Sequence, residues 1–403
     1  MRADKAPPPE RVEFMSDGIK RRDFLKVVGT GGAGATMFGC STERVEKLLP
    51  YVVPDEEITP GVATWYTSVC GECPAACGIW VRTREGRAVK VEGNPRHPIS
   101  GGALCSRGYA AIQGLYNPDR LTSPMVREGD GFRSVGWEEA EARFAEAIQA
   151  GSRHLFVGGR MGPSMMDLVD TFLSVAGGTR VEYEGLADAP LREATRIALG
   201  RAVGPSYEFA GARLVSSFGA DFLETWLSPV EYHRSYASMA GADDHGSKGR
   251  HVFFSPRLSL TGQNADEWVP IAGGQEVILA LALAHVISRE GGDAGPYEAI
   301  LAAYDPETAA ETSGVPAEEI ESLALRFAEG TSLAVGSGLA GHHQNATAAN
   351  LAVLILNSVA GNVGRTVRLR SVDQAAASRP MAELMADLDD LDPAGVVIVH
   401  RTN

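Results

Sequence analysis

Four cysteines of this chain are spaced in a way that suits an inorganic cluster. Cys70, Cys73, Cys77 and Cys105 form a C-x2-C-x3-C-x27-C array, and no cysteine follows Cys105 in the 403-residue sequence. Glycine and proline within 69–78 favour turns that can curl three thiolates around a small core. The fourth thiolate then closes the site from a distant loop. Four thiolate ligands in this arrangement indicate a [4Fe-4S] cluster.

A zinc site and disulfide bonds are the two alternative uses of these cysteines. A structural zinc ion is usually bound by two C-x2-C pairs, whereas here three cysteines lie together and one is distant. Disulfide bonds among Cys70, Cys73 and Cys77 would strain a short loop, even in an exported protein. The iron–sulfur interpretation is preferred, with zinc and disulfides as its alternatives.

The first 40 residues resemble an export signal. Arg21 and Arg22 form a twin-arginine pair, and the weakly apolar, glycine-rich stretch 27–38 after them is too short to span a bilayer. Cys40 follows Met-Phe-Gly and resembles the lipidated cysteine of a lipoprotein. We expect export by the twin-arginine route to the periplasmic face of the cytoplasmic membrane, with Cys40 as a lipid anchor.

The composition describes a large acidic protein. Hydrophobic residues make up 44% of the chain, and its formal net charge is -14 at pH 7. A chain of this length can bury an extensive core. Its negative charge argues against nucleic acid as a partner. An acidic surface suits docking to a basic redox protein such as a cytochrome, although a solvated acidic surface without a partner is as common.

The sequence pattern divides the chain into four segments: a signal (1–40), a polar, proline-bearing linker (41–62), a cluster domain (63–125) and an α/β region (126–403). Alternating residues predict short strands at 65–69, 78–83 and 88–92. From residue 137, helical stripes alternate with short apolar runs that end in glycine, which is typical of parallel α/β units. The predicted fold class is mixed α/β, with a small β-rich 4Fe-4S domain followed by Rossmann-like parallel domains.

Several elements of the α/β region can be placed from their patterns. Helices are predicted at 137–148, 275–289 and 345–360, and the second of these is apolar nearly all round, which indicates a buried helix. Strands are predicted at 154–157, 212–218, 251–254, 333–335 and 395–400. The last strand stops in mid-pattern, so we expect the chain to be cut short before a further domain.

Several motifs together resemble the molybdopterin oxidoreductase family. The cysteine array is joined by Cys-Ser-Arg-Gly at 105–108 and by Val-Glu-Gly-Asn-Pro at 91–95. Further likeness lies in Ser-Pro-Arg at 255–257 and Ala-Gly-Asn-Val-Gly at 360–364. Within that family, the leader and the segment 51–66 that precedes the cysteines resemble the molybdopterin-like iron–sulfur subunit of alternative complex III. That complex is a quinol-oxidising respiratory assembly.

The resemblance implies cofactors and residues for them. It implies a [4Fe-4S] cluster on the four cysteines and a molybdenum-bis(molybdopterin guanine dinucleotide) cradled by glycine-rich strand ends. Gly219, Asp221, Gly336 and Gly338 stand at such ends. It also gives Arg107 a place between cluster and pterin, where a cation would favour the reduced cluster.

Departures from the family pattern argue against pterin binding. Catalytic members need a metal ligand in the first α/β domain. No cysteine is available there, and Ser174 and Asp188 lie in no recognisable ligand motif. Asp221 replaces an asparagine and would bring negative charge near nucleotide phosphates. Gly-Gly-Gln-Glu at 273–276 likewise replaces Pro-Gly-Thr-Asp. We therefore expect a scaffold that kept the fold and the cluster but lost the molybdenum chemistry.

For other polar groups, an ordinary structural role is preferred to a functional one. Adjacent His342 and His343 could be ligands or proton carriers, but a structural role is preferred. Asp266 and Glu267 could form a paired acid site, but solvated loop carboxylates are commoner.

The main hypothesis is an iron–sulfur electron-transfer subunit of a membrane-associated respiratory oxidoreductase, passing electrons from quinol toward a cytochrome-type acceptor. Its expected partners are a membrane quinone-binding subunit and a cytochrome-type subunit. The alternatives are a catalytic molybdenum oxidoreductase acting on a small substrate, and a structural subunit with a vestigial cluster site.

Overall fold

The structure is a computed structural model, and it describes residues 59–159, 161–182, 189–201, 203–242, 246–337, 344–369, 388 and 395–401. The predicted signal residues Arg21, Arg22 and Cys40 lie outside the described residues, as do Asp188, Gly338, His342 and His343. Residues 63–403 form one compact unit, so the domain boundary expected near residue 125 stays a prediction. Among the described helices, none has the length and apolar character needed to cross a bilayer.

A small antiparallel sheet carries the cysteine loop. In the described chain its strand order is β1-β2-β3, with β1 at Thr64–Val69, β2 at Gly78–Arg84 and β3 at Arg87–Gly93. Helix α1 (Ser106–Leu115) follows Cys105. An antiparallel hairpin of β4 (Met125–Glu128) and β5 (Gly131–Ser134) then connects this part of the chain to the α/β region. The three strands predicted for this region are confirmed.

The central sheet of the α/β region is parallel. In the described chain its order is β11-β10-β9-β12, with β9 at Leu214–Phe218, β10 at Arg250–Phe254, β11 at Glu267–Val269 and β12 at Ser332–Gly336. The chain therefore leaves β9 toward one side for β10 and β11, and β12 lies on the other side. Such a change of direction opens a crevice at the carboxyl ends of the two strands, which is where open α/β sheets bind ligands.

A second parallel sheet has the order β14-β6-β7 in the described residues. Its strands are β6 (His154–Gly158), β7 (Gly178–Glu182) and β14 (Val397–His400). Two further short strands, β8 (Pro205–Tyr207) and β13 (Val367–Leu369), pair antiparallel. The strands expected at 154–157 and 395–400 are confirmed.

Helices cover the sheets and carry much of the core. They are α2 (Trp137–Ala150), α3 (Pro163–Ala176), α4 (Ala189–Leu199), α5 (Pro229–Ala240), α6 (Leu260–Gln263), α7 (Glu276–Arg289), a 3-10 turn (Gly295–Tyr297), α8 (Glu298–Leu301), α9 (Pro306–Ser313), α10 (Ala317–Ala328) and α11 (Ala346–Val359). The prediction of a buried helix at 275–289 is confirmed by α7, in which residues 279–284 are all buried.

The two faces of the central sheet bury separate hydrophobic clusters. Side chains alternate along a strand, so neighbouring residues pack on opposite faces. Leu214 and Phe218 of β9 join a cluster with α7, α10 and α11. Val215 of the same strand joins an aromatic cluster with α4 and α5 on the other face. Burial on both faces matches the nearly continuous apolar character of these strands.

Candidate functional site

Three of the four cysteines lie in the connection between β1 and β2. Cys70 follows the last residue of β1, and Cys77 precedes the first residue of β2. The N–H of Cys70 donates to the carbonyl of Cys77 over 2.8 Å, which closes the loop at its base. Ala76 has a φ of 49°, an unusual conformation for a residue with a side chain. The loop thus turns back on itself, and its base brings Cys70 and Cys77 together.

Cys105 approaches from the N-terminal end of α1. It is the N-cap residue of that helix, and its carbonyl accepts the N–H of Tyr109 over 3.0 Å. The free N–H groups at a helix N-terminus favour negative charge nearby. The N-terminal end of α1 would therefore favour a negatively charged group bound beside Cys105.

The four thiols are free, and Cys70, Cys77 and Cys105 share one small hydrophobic cluster. Cys70 and Cys77 are buried, while Cys73 and Cys105 are half-buried. Burial raises the pKa of the Cys77 thiol, and nearby charge on Cys73, Cys70 and Cys105 adds to this effect, so that the pKa reaches about 11. Burial is also the main cause of the raised pKa of Cys70. Because a cysteine binds metal as a thiolate, cluster binding at these thiols would release protons.

This donor set fits a cluster better than a single ion. In the described part of the chain, no three His, Cys, Asp or Glu side chains are arranged to hold one metal ion. Thiolates that bind a [4Fe-4S] cluster each take a different iron atom, so their sulfurs lie farther apart than ligands of one ion. The four cysteines would hold the cluster, which when bound supplies one-electron chemistry.

Residues from the α/β region complete the wall of the cysteine cluster. Val230 of α5 belongs to the same hydrophobic cluster as Cys70 and Cys77. One turn later on the same helix, Nη1 of Arg234 donates to the carbonyl of Ile99 over 3.0 Å, in the loop that leads to Cys105. Neither residue was predicted from the sequence. Arg234 and Ile99 are 135 residues apart, so no local pattern could have revealed the contact.

Two arginines lie near the cysteine loops. Arg107 stands in the first turn of α1, two residues after Cys105, and is half-buried. Its role in electron transfer stays a prediction. Arg401 was not predicted: its guanidinium lies directly against Gly71, where any side chain would clash with it. Because Arg401 follows β14, this contact joins the second parallel sheet to the cysteine loop.

The crevice between β9 and β12 holds a buried carboxylate. Gly219 directly follows β9 and has a φ of 73°, and Asp221, two residues later, is 3% exposed. Oδ2 of Asp221 accepts from Nη2 of Arg257 over 2.6 Å. Oδ1 is buried and has no hydrogen-bond partner among the described residues. The hydrogen bond from Arg257 to Asp221 raises the pKa of the Arg257 guanidinium, which therefore stays charged. A phosphate placed here would meet the negative charge of Asp221 as well as the exposed guanidinium of Arg257.

The other side of the crevice is closed by helix packing. A Cβ atom on Gly336 would lie 2.5 Å from Cγ2 of Val353 in α11. The approach of this helix accounts for the glycine without any ligand. Next to it, Ser337 has a φ of 51° and donates its N–H to the carbonyl of Phe218 over 3.0 Å. The predicted cofactor-binding roles of Gly219, Asp221 and Gly336 stay predictions, and these three residues do meet at one crevice.

The remaining candidate acids and the candidate serine have ordinary structural partners. Oδ1 of Asp266 accepts from Nζ of Lys248 over 2.8 Å, and its Oδ2 accepts from the N–H of His251 over 2.9 Å. Burial by itself would raise the pKa of Asp266, but these hydrogen bonds outweigh it and lower the pKa. Glu267 pairs with Arg326 over 3.2 Å. Ser174 is exposed on α3 and donates to the carbonyl of Thr171 over 2.7 Å.

Comparison with known proteins gives relatives over most of the chain. The molybdopterin oxidoreductase Fe4S4 domain matches residues 63–117, and the molybdopterin oxidoreductase domain matches residues 120–392. The molybdopterin-binding-like subunit of menaquinone reductase from Nitratidesulfovibrio vulgaris is 29% identical over 89% of this chain and 53% of its own length. The molybdopterin-containing subunit of thiosulfate reductase from Salmonella typhimurium is 26% identical over 90% of this chain and 49% of its own length.

A solved structure shares the fold. Acetylene hydratase from Pelobacter acetylenicus superposes with a TM-score of 0.62 over 75% of this chain and 44% of its own, at 18% identity. The chain spans about half the length of the two sequence relatives described above. The predicted family and fold class are confirmed. The chain belongs to the molybdopterin oxidoreductase family, with the Fe4S4 domain at its N-terminal side and the molybdopterin domain after it.

Proposed function

We propose that the chain is an iron–sulfur electron-transfer subunit of a membrane-associated, quinone-linked respiratory oxidoreductase. The observation that carries this proposal is the convergence of the β1–β2 loop and the start of α1. Cys70, Cys77 and Cys105 share one hydrophobic cluster, which Val230 of α5 joins, and Cys73 lies close enough for its charge to act on Cys70 and Cys77. Cys70, Cys73, Cys77 and Cys105 are the proposed ligands. A cluster held this way accepts and releases single electrons.

The quinone link rests on the relative named as a menaquinone reductase subunit. Quinol oxidation toward a cytochrome-type acceptor is the direction that we propose, and quinone reduction by the same chain of carriers is its reverse. The proposed partners are a membrane quinone-binding subunit and a cytochrome-type subunit. Export through Arg21 and Arg22, and membrane attachment through Cys40, complete the proposal on sequence grounds.

A catalytic molybdenum enzyme is the second candidate. The match to the molybdopterin domain and the thiosulfate reductase relative favour it. Against it stand the buried carboxylate of Asp221 in the crevice and the packing of Val353 onto Gly336. A dinucleotide phosphate would need compensation for the negative charge, and the backbone near Gly336 is already covered. We therefore prefer a subunit in which the cluster carries the redox chemistry.

Metal analysis and spectroscopy of the natively purified chain test the proposal. We expect about four iron atoms per chain, no molybdenum, and an EPR signal that appears after dithionite reduction. The Cys105→Ser variant should lose the signal and most of the iron, whereas Ser106→Ala, the neighbouring control, should keep both. Stoichiometric molybdenum would favour the catalytic candidate. A chain without iron or signal would leave the structural candidate, with a vestigial site.

A further inference from the structure

The first strand of the cluster sheet has an open edge. β1 pairs with β2 along its whole length, and within the described residues no strand pairs with its other edge. Its sequence, Thr-Trp-Tyr-Thr-Ser-Val, contains no charge and no proline, and all residues after Thr64 are exposed. Proteins usually protect such an edge with charges, proline or a bulge, because its unpaired N–H and C=O groups accept another strand. β1 lacks these protections.

The outer face beside this edge carries large aromatic side chains. Tyr66 and Ser68 lie opposite Val81 and Ile79, which pack toward the cysteines, so Trp65 and Thr67 point to the other face. Trp65 is 43% exposed and contacts the ring of Trp80 edge-on, with centroids 6.2 Å apart. Exposed tryptophan next to arginine is a composition enriched at the energetic centres of protein interfaces.

The charge of the cluster domain is positive, unlike that of the chain as a whole. Residues 63–125 contain seven Lys and Arg but four Asp and Glu, whereas the whole chain contains 37 and 51. Arg82 lies opposite Trp65 across the sheet, with its Cζ 5.9 Å from the indole ring. Among the described residues it forms no ion pair, and its Nε has no hydrogen-bond partner. An acidic group that approached this face would find an unpaired cation.

We propose that the open edge of β1 binds an extended, acidic segment of a partner protein, which adds a fourth strand to the cluster sheet. Backbone hydrogen bonds along the edge would supply affinity, and carboxylates facing Arg82 would select the partner. A membrane surface fits less well, because lipid head groups do not offer donors and acceptors in the register of a strand. The proposal concerns an interface and does not depend on which redox chemistry the chain performs.

A designed peptide tests this proposal on the full-length chain. The probe is a fluorescein-labelled decapeptide of alternating valine and glutamate, and its binding is followed by anisotropy. We expect saturable binding that weakens with added salt, together with slower hydrogen exchange of the amides at 64–69. Thr67→Glu places a like charge on the face where the peptide carboxylates lie, so it should weaken binding by about tenfold. The control Val175→Glu adds the same charge on α3, where the native side chain is 87% exposed, and should leave binding unchanged.

Four results would overturn the proposal. The first is that an alternating valine–lysine peptide, or the acidic peptide N-methylated at every second residue, binds equally well. The second is that Thr67→Glu and Val175→Glu have the same effect. The third is that vesicles of equal parts phosphatidylserine and phosphatidylcholine bind the chain while the acidic peptide does not. The fourth is a concentration-dependent dimer that Thr67→Glu abolishes, without any peptide binding, because β1 would then pair with a second copy.

Discussion

At the scale of single residues, His251 is an unusual buried group. It lies in β10 with no exposed surface, and its ring is 5.2 Å from that of Phe222 and 5.5 Å from that of Tyr236. Among the described residues neither ring nitrogen has a hydrogen-bond partner. Burial lowers the pKa of His251 to about 4, although the charge of Asp266 acts in the other direction. The folded protein therefore holds this histidine neutral.

The neutral His251 predicts a loss of stability in acid. The unfolded chain binds a proton at this histidine near its ordinary pKa of 6.5, whereas the folded chain does not until about 4. The contribution is therefore complete above pH 6.5 and is lost as the pH falls toward 4, by up to about 3 kcal/mol. His251→Phe should reduce this loss. Urea unfolding of variant and native chain at about pH 7.5 and about pH 5 measures the difference.

The matched control is His233→Phe, which changes an exposed histidine on α5. This variant should keep the native dependence on pH. If His251→Phe loses as much free energy of unfolding in acid as the native chain does, burial of His251 is not the cause.

At the scale of elements, the packing of α11 on β12 shapes the carboxyl end of the central sheet. Asn357 of α11 accepts the N–H of Ala334 over 3.0 Å and donates to its carbonyl over 2.8 Å. This pair of hydrogen bonds fixes the helix along the strand. Two strand residues later, Gly336 leaves the space that Val353 fills. The hydrogen bonds of Asn357 and the absence of a side chain at Gly336 together determine how closely α11 packs on β12.

This packing predicts the effect of one added methyl group. Gly336→Ala should lower the free energy of unfolding by about 1–3 kcal/mol, because the new Cβ overlaps Val353 in a packed core. The double variant Gly336→Ala with Val353→Ala should be less destabilised than the two single changes added together, since the second change makes room for the first. Gly273→Ala is the control, because no atom lies within 4 Å of its added Cβ. Additive losses in denaturant unfolding would contradict this account.

At the scale of the whole molecule, the cysteines stand apart from the two large hydrophobic clusters. Those clusters lie on the two faces of the central sheet and contain no cysteine. Cys70, Cys77 and Cys105 belong to a smaller cluster, which Val230 of α5 joins. The proposed cluster site and the large hydrophobic clusters therefore share helix α5 but few buried side chains. Loss of the bound cluster should therefore leave most of the hydrophobic core intact.

Removal of the cluster tests this separation. Cys77→Ser should abolish the EPR signal and most of the bound iron while the urea midpoint of the far-UV circular dichroism changes little, because the central sheet keeps its apolar contacts. Leu279→Ala, in the larger core, should have the opposite effect. It should lower the free energy of unfolding by about 2–5 kcal/mol and leave the signal in the folded fraction. A Cys77→Ser chain that loses its α/β structure would show that the cluster holds the whole fold together.

Much of the fold could be predicted from short-range pattern. Period-two alternation marked β1, β2 and β3, and a stretch apolar nearly all round marked α7, because these signals come from neighbouring residues in one element. The three cysteines of the first loop are recognisable for the same reason: their spacing and turn residues are local. Cys105 could be assigned to the same site because the family motif includes the 27 residues between Cys77 and Cys105.

Contacts between distant residues could not be predicted in this way. Arg234 reaches the loop before Cys105, Arg401 rests on Gly71, and Val353 covers Gly336. None of these pairs has a pattern in the sequence, since each depends on how separate elements pack. The chemistry of the thiolates and the order of elements followed from residue types and their periodicity. The enclosure of the cysteines and the shape of the crevice were decided by tertiary packing, because they arise from side chains that meet only after the elements have assembled.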